Sequence, residues 1–397
     1  MKHTMRWFGP KDPVSLSDLR QSGCVGVVTA LHDIPVGDIW TIEAIEHRKS
    51  IIEQGNSTQS PLEWLVVESL PVHEDIKKGL PSREKYIENY QISLRNLAAS
   101  GITTVCYNFM PVLDWSRTDL AFTLPDGAKA LRFVWVDFAV FDLCILKRPS
   151  AEKDYTPAVI QAATRRYQDM SPPEKQRLQD TVLLGLPGSE EAFSLDSFQG
   201  LLDQYHAISA EQLRQNLHYF IQSVAPLAQE LGIKLCIHPD DPPFPLMGLP
   251  RVVSTKQDLE LLWEACPVLA NGITFCTGSL GVRADQDLVD MVRDLGERIH
   301  FLHLRATKRE QEDPLIFHEA RHLEGDVDMV ALIREVLLWE QKTGREIPMR
   351  PDHGHQMMDD LAKTTYPGYS AIGRMKGLAE LRGIEAALSH VLIQPTT

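Results

Sequence analysis

The sequence is poor in cysteine, with six in 397 residues and no CxxC pair. Cys24, Cys106, Cys236 and Cys276 each lie within or at the end of an apolar run, where a free thiol behaves as a small hydrophobic group. This usage argues against a disulfide framework and favours a reducing compartment. No apolar stretch approaches the ~18 residues of a membrane span, and residues 1–13 lack the apolar core of a signal peptide. A cytoplasmic protein is expected.

Positive charge is also scarce. The chain has 40 Lys and Arg against 54 Asp and Glu, a net charge of −14. Surfaces that bind nucleic acid need clustered Lys and Arg, so this balance argues against a nucleic-acid partner. A small anionic substrate is still compatible with this negative net charge, because a few local cations or a metal ion can dominate the electrostatics of one pocket. Neither GxGxxG nor GxxxxGK[ST] occurs, which disfavours dinucleotide-binding and P-loop folds.

Eight short β-rich runs alternate with helical patterns along the chain. Several are continuously apolar, as strands buried on both faces should be. The runs are Met5–Phe8, Cys24–Thr29, Trp64–Glu68, Ile102–Tyr107, Ile233–His238, Ile273–Cys276, Ile299–Leu304 and Ile347–Arg350. Strand–helix alternation requires parallel pairing through right-handed crossovers, and eight such units close into a (β/α)₈ TIM barrel. The pattern therefore predicts an α/β barrel, with an open doubly wound sheet as the alternative.

The segment from about residue 111 to 208 departs from this alternation. It contains a predicted hairpin, with strands over Ala121–Leu124 and Leu131–Phe138 around a Pro-Asp-Gly turn, followed by polar helical stretches. A helix breaker is expected at Leu186–Ser189. We predict one barrel domain over residues 1–397, with this segment inserted after the fourth strand. Such an insertion could cover the active site, contact another subunit, or have neither role.

Four consecutive predicted strands carry residues that bind transition metals. His238, Cys276 and His303 lie at the ends of the fifth, sixth and seventh runs, and Asp352 follows the eighth. Barrel active sites lie at the carboxyl ends of the strands, so these side chains are expected at one rim. Imidazole, thiolate and carboxylate together favour a divalent transition metal. The set could also build a closed structural zinc site, whereas a catalytic site must keep one coordination position open.

Further titratable residues beside these candidates favour a catalytic site. They are Asp240, Asp241, Arg305, His353 and His355. Asp352 and His353 are adjacent and would face opposite sides of a regular strand. Gly354 follows them, and its conformational freedom could let the backbone turn both side chains toward the pocket.

Eight motifs spread over nearly the whole chain point to a known family. They are Arg6–Gly9, Ile34–Gly37, Pro71–Ile76, Cys106–Pro111, His238–Pro243, Gly248–Arg251, His303–Arg305 and Arg350–Gly354. In these motifs the chain resembles mannonate dehydratase of the bacterial hexuronate-degradation type. The resemblance implies a xylose-isomerase-like barrel that binds Mn²⁺ or Fe²⁺. It also implies conversion of D-mannonate to 2-dehydro-3-deoxy-D-gluconate and water, in hexuronate catabolism.

The resemblance also implies roles for individual residues. The implied metal ligands are His238, Cys276, His303 and Asp352, and the implied proton carriers are His353 and Tyr369. Proton removal next to a carboxylate needs a Lewis acid to offset developing charge, a general base and a general acid, so the set suits the reaction. Which proton carrier is the base stays open. Candidates for binding substrate oxygens are Arg6, Asn108, Asp240 and Arg305.

Two other functions remain open on the residues alone. A metal-dependent sugar isomerase or epimerase could use much the same barrel and metal. A metal-dependent nuclease is disfavoured by the net charge of −14. A non-enzymatic binding protein would leave the ligand set and its titratable neighbours unexplained. We expect a homo-oligomer, with a dimer as the expected state, that binds a small sugar acid and neither nucleic acid nor membranes.

Overall fold

The computed structural model describes residues 1–54, 59–184 and 194–393. The helix breaker expected at Leu186–Ser189 lies outside these residues. The described strands are β1 (Lys2–Arg6), β2 (Gly26–Thr29), β3 (Glu63–Glu68), β4 (Thr104–Tyr107), β5 (Asp119–Thr123), β6 (Lys129–Val134), β7 (Lys234–Ile237), β8 (Asn271–Cys276), β9 (Ile299–His303), β10 (Thr307–Gln311), β11 (Ile316–Glu319) and β12 (Pro348–Arg350).

Helices connect the strands and flank the barrel. They are α1 (Leu16–Gln21), α2 (Ile42–Glu53), α3 (Glu74–Lys78), α4 (Arg83–Ala99), α5 (Trp135–Val140), α6 (Pro157–Asp169), α7 (Pro172–Leu183), α8 (Leu195–Asp203), α9 (Ala210–Glu230), α10 (Lys256–Ala265), α11 (Thr277–Leu280), α12 (Leu288–Leu295), α13 (Met329–Thr343) and α14 (Ala371–Ile393). A π-helical turn, Phe141–Leu146, continues α5. None of the helices in the described ranges has the length and apolar character needed to cross a membrane.

Eight parallel strands form a closed barrel in the order β1-β12-β9-β8-β7-β4-β3-β2. The barrel closes where Lys2 of β1 pairs with Pro348 of β12. Each of the eight predicted runs contains or overlaps one of these strands, so the predicted TIM barrel is confirmed. The ends differ by one to three residues in most cases, as expected for boundaries inferred from apolar runs.

The barrel strands are buried on both faces, which explains their nearly continuous apolar sequences. All six residues of β8 are buried. Val28, Val66, Cys106, Cys236 and Phe301 form one buried cluster, to which five barrel strands, β2, β3, β4, β7 and β9, contribute one residue each. All six cysteines are free thiols, and five of them are buried. Cys106 and Cys236 therefore act as small packing residues.

A second, antiparallel sheet has the order β10-β11-β6-β5. Its β5–β6 hairpin precedes α5, and its β10–β11 hairpin lies between β9 and α13. Sequence patterns did not predict the second hairpin. The prediction that the strand of the first hairpin extends to Phe138 is wrong, because β6 ends at Val134 and α5 begins at Trp135. Residues 138–141 are all buried, which a strand with one buried face cannot achieve but a helix enclosed by neighbours can.

Residues from the insertion build a second hydrophobic core. Phe133, Phe138, Phe141 and Phe198 are fully buried in it, together with Phe317 of β11. The Phe133 and Phe317 rings stack with centroids 5.4 Å apart. The two hairpins are thus joined both by backbone pairing of β6 with β11 and by packing of their aromatic side chains. This core holds the second sheet in place next to the barrel.

Candidate metal centre and active site

The four candidate ligands meet at the carboxyl ends of the barrel strands. His238 directly follows β7, Cys276 and His303 are the last residues of β8 and β9, and Asp352 follows β12 by two residues. One donor atom from each of His238, Cys276 and His303 lies within 4.8 Å of the others, and these three form the one such group among the described residues. Bonds of ~2.0–2.3 Å to one ion place neighbouring donors ~3–4 Å apart, so the set fits a single ion.

Asp352 lies beside this group and is close to two of its three members. Its Oδ2 lies 3.8 Å from Cys276 Sγ and 3.8 Å from His303 Nδ1. Asp352 is not a glycine, yet it has a φ of +61°, in the left-handed region. Such strained conformations concentrate at functional sites. This turn comes after the end of β12 and lets Asp352 and His353 line the same cavity.

Gly354 has a different role from the expected one. The positive φ belongs to Asp352, two residues before it. A Cβ atom on Gly354 would lie 2.3 Å from the backbone nitrogen of Arg374, and the Gly354 N–H donates to Gly368 O at 2.8 Å. Gly354 therefore permits close backbone packing, which brings the segment of Tyr369 against the segment of His353.

A hydrogen bond prepares His238 to bind a metal. His238 Nδ1 lies 2.7 Å from Pro239 O, so Nδ1 carries the proton and the Nε2 lone pair faces His303 Nδ1 at 3.2 Å. Desolvation lowers the pKa of His238 despite nearby Asp352, which keeps the ring neutral as metal binding requires. His303 Nε2 lies 3.0 Å from Arg350 Nε and 3.5 Å from Glu68 Oε2.

The Cys276 sulfur is surrounded by hydrogen-bond donors. The N–H and the hydroxyl of Ser279 lie 3.4 and 3.2 Å from Sγ, and Arg305 Nη1 lies 3.8 Å away. Cys276 is also the N-cap residue of the short helix α11. Donors of this kind stabilise negative charge on sulfur, the form that binds metals.

A small cavity of about 40 Å³ opens beside these ligands. Residues proposed from the sequence that line it are Arg6, Asn108, His238, Arg305, Asp352, His353 and Tyr369. Asp240 does not line it. The Asp240 Oδ2 atom accepts hydrogen bonds from Val253 N at 2.8 Å and Ser254 Oγ at 2.7 Å, and so holds the following loop. Its neighbour Asp241 does line the cavity.

His353 and Tyr369 lie side by side in this cavity. Their ring centroids are 5.1 Å apart and the rings meet edge to face. Tyr369 is 2% exposed. Desolvation raises the pKa of Tyr369, and the positive charges of Arg6 and Arg350 only partly oppose this. Tyr369 is therefore a neutral hydroxyl in this state, next to an imidazole that can exchange protons.

Comparison with known proteins identifies the family. A sequence model of D-mannonate dehydratase matches residues 1–394. The chain belongs to the D-mannonate dehydratase family. It is 55% identical to the mannonate dehydratase of Chromohalobacter salexigens over 398 residues, covering 99% of this chain and 100% of the relative. It is 53% identical to that of a Marinomonas species, with the same coverage.

Solved structures agree with the family and the fold. The mannonate dehydratase of Streptococcus suis serotype 2 superposes with a TM-score of 0.76 at 34% identity, covering 100% of this chain and 98% of that one. A D-psicose 3-epimerase of Clostridium cellulolyticum, at 10% identity and a TM-score of 0.51, shares the barrel fold alone. The predicted membership in this hydro-lyase family is thus confirmed. This family membership argues against the isomerase, epimerase and nuclease alternatives.

Sequence reasoning missed much of the charge network around the cavity of this dehydratase-family chain. Arg117, 0% exposed, donates to Asp241 Oδ1 and to Glu319 Oε1, both at 2.8 Å. Arg305 donates to the same two carboxylates, also at 2.8 Å. Desolvation alone would raise the pKa of Asp241, but the two guanidinium groups outweigh it and hold that pKa below its usual range. Asp241 therefore stays ionised.

Sequence reasoning also did not predict the ion pair between Glu68 and Arg350, which both line the cavity. Both oxygens of Glu68, the last residue of β3, accept hydrogen bonds from Arg350, at 2.6 and 2.9 Å. Arg350 Nη1 also donates to Asp352 Oδ1 at 2.5 Å. Glu68 and Arg350 both end apolar strand runs, so the strand-end rule that found the metal ligands could have found them. No such signal marks Arg117, which lies between β4 and β5, or Glu319, which ends the short strand β11 that the sequence patterns did not predict.

Proposed function

We propose that the chain dehydrates D-mannonate to 2-dehydro-3-deoxy-D-gluconate and water. The observation that carries the proposal is one cavity lined by two candidate metal ligands, His238 and Asp352, together with His353 and Tyr369. Cys276 and His303 lie next to His238. Family membership supplies the substrate, since the matching family model and relatives carry this activity in their names. The reaction is proposed to serve hexuronate breakdown in the cytoplasm, by a single-domain chain that assembles into a homodimer.

The ion is proposed to be Mn²⁺ or Fe²⁺, held by His238, Cys276, His303 and Asp352. When bound, a divalent ion supplies a Lewis acid that stabilises negative charge at the carboxyl end of the substrate. The two imidazoles, the sulfur and the carboxylate suit either metal. Arg350 and Arg305 contact Asp352 from both sides and would orient its carboxylate.

The elimination needs two proton transfers. One of His353 and Tyr369 takes the proton from C2, and the other donates a proton to the departing hydroxyl on C3. The C2–H electron pair forms the new double bond, the C3–O bond breaks, and the resulting enol rearranges to the 2-keto acid. Each transfer contributes ~10²–10⁴-fold to the rate. Their edge-to-face contact at 5.1 Å supports a role for both groups in acting on one small substrate.

Cationic and amide groups would bind the substrate. Arg6, Asn108 and Arg305 all line the cavity. Arg6 Nη1 lies 3.4 Å from Glu68, and its Nε makes no hydrogen bond within the described residues. A buried donor without a protein partner is costly, so Arg6 is suited to a carboxylate or hydroxyl of the substrate. Asp240 supports the wall of the site through its loop.

The test is to incubate metal-loaded protein with D-mannonate and with neighbouring hexonates and to measure 2-keto acid formation. We expect product from D-mannonate, loss of activity with a chelator, and recovery with Mn²⁺ or Fe²⁺. An isomeric sugar acid formed without loss of water would instead support an isomerase. Unchanged D-mannonate with full metal occupancy would contradict the proposal. Analytical ultracentrifugation of the same protein tests the dimer.

A further inference from the structure

The two ring nitrogens of His353 have different surroundings. Nδ1 lies 3.3 Å from Glu319 Oε1, while Nε2 lies 3.8 Å from Asp352 Oδ1 beside the candidate metal site. In the described part of the chain Nδ1 forms no well-aligned hydrogen bond. Contacts of catalytic groups are often long or poorly aligned before substrate binds, so Glu319 is the natural acceptor for a proton on Nδ1.

We propose that Glu319 is a positioning residue for His353, whose carboxylate holds the proton on Nδ1 and leaves the Nε2 lone pair facing the cavity. This inference rests on the proposed role of His353 in proton transfer. It assigns part of the active site to β11, which belongs to the second sheet and not to the barrel.

Glu319 is held more firmly than an ordinary surface carboxylate. It is 3% exposed, its Oε1 accepts from Arg117 Nη2 and its Oε2 from Arg305 Nε, both at 2.8 Å. Its backbone oxygen lies 2.8 Å from His355 Nε2. Desolvation raises the pKa of Glu319, but Arg305, His353 and Arg117 outweigh it and hold that pKa below its usual range. An ionised carboxylate only accepts hydrogen bonds, so it selects the Nδ1–H form of the ring.

The number of acceptor sites on Glu319 also leaves room for His353. Each carboxylate oxygen can accept two hydrogen bonds, and each arginine uses one. The remaining site on Oε1 is on the oxygen that lies nearest His353 Nδ1. An ion pair that only held β11 against the barrel would need no histidine at that distance.

The His353 ring is also confined by its walls. Tyr369 packs against it edge to face, and Trp115 contacts it from another direction with centroids 6.3 Å apart. A Cβ atom on Gly368 would lie 3.3 Å from the ring, so the backbone approaches closely there as well. With the ring plane restrained, the partner of Nδ1 decides which nitrogen can exchange a proton with the substrate.

The first test is a double-mutant cycle on D-mannonate turnover with Glu319→Gln and His353→Asn. We expect Glu319→Gln to lower kcat at least ~10-fold in the wild-type background and to have no further effect beside His353→Asn. Asp241→Asn is the matched control, because Asp241 binds the same two arginines without contacting His353 in the described structure. Its effect should be equal in both backgrounds. Equal losses for Glu319→Gln in both backgrounds would overturn the inference.

The second test needs no substrate and so separates this inference from the proposed function. ¹⁵N-histidine NMR of protein loaded with diamagnetic Zn²⁺ should show His353, assigned by its loss in His353→Asn, protonated on Nδ1. In Glu319→Gln the same signal should shift toward the Nε2–H form, and in Asp241→Asn it should not. An unchanged tautomer in Glu319→Gln would overturn the inference. Failure of D-mannonate turnover with the expected tautomers would overturn only the proposed function.

Discussion

The barrel and the second sheet contribute different chemistry to the surroundings of the cavity. The barrel strands end in His238, Cys276 and His303, which can bind a metal. The second sheet and the segment leading into it contribute Glu319 and Arg117, which bind arginines and carboxylates rather than a metal. The comparison teaches that the barrel supplies the candidate metal site, while the second sheet fixes the charges and orientations of the groups around it.

The largest expected effect is the loss of bound metal and activity when candidate ligands on the barrel strands are replaced. The double variant Cys276→Ser, His303→Ala should lose bound metal, because two of the candidate ligands are gone, and activity should fall by roughly 10³-fold or more. Metal content by mass spectrometry and turnover are measured on the same samples. Cys266→Ser, at another buried cysteine outside the cluster, is the matched control and should keep its metal. Full occupancy in the double variant would remove these residues from the ligand set.

The next largest effect tests the second-sheet side. Arg117→Ala should lower the free energy of unfolding by about 3–5 kcal/mol, because it leaves the buried carboxylates Asp241 and Glu319 short of a partner. Arg132→Ala on β6 breaks a more exposed pair with Glu310 and should cost no more than about 1 kcal/mol. Denaturant unfolding measures both. Equal losses would mean that burial of the charge network does not distinguish the two sites.

A smaller effect separates proton transfer from metal binding. His353→Asn and Tyr369→Phe should each retain metal and fold while activity falls about 10²-fold or more, because only acid–base assistance is lost. Rates and metal content are measured together. If both variants turn over substrate normally with metal bound, Asp241, which lines the cavity, becomes the candidate for moving protons.

The smallest expected effect is a change in how the free energy of unfolding depends on pH in acid. The pKa of Asp241 is lowered in the folded protein, so the stability that this carboxylate contributes is present above its unfolded pKa of ~3.9 and is lost as pH falls below it. The free energy of unfolding should therefore decrease below about pH 4. In Asp241→Asn the slope should be smaller by up to ~1.4 kcal/mol per pH unit. Denaturant titrations at several pH values measure the slope, and equal slopes would argue against an ionised Asp241.

The same comparison explains which strands and site residues could be predicted from the sequence. Barrel strands such as β8 are buried along their whole length, so their apolar runs predict both the strand and the residue at its end. Strand β5 alternates exposed and half-buried residues, and its hairpin was predicted with the help of the Pro-Asp-Gly turn. Strand β10 is the polar Thr-Lys-Arg-Glu-Gln and presents no apolar run. Glu319 reaches His353 only through the pairing of β11 with β6, which joins residues far apart in the chain. No local pattern encodes that contact.

Closure of the barrel between β1 and β12 has a consequence for synthesis of the chain. Residue 2 pairs with residue 348, so the first strand has only one barrel neighbour until nearly the whole chain has left the ribosome. Pairings between such distant residues form slowly, and unpaired strand edges promote aggregation. Nascent chains that stop before residue 348 would therefore expose the open edges of β1 and β9, which makes this protein a natural client for chaperones during translation.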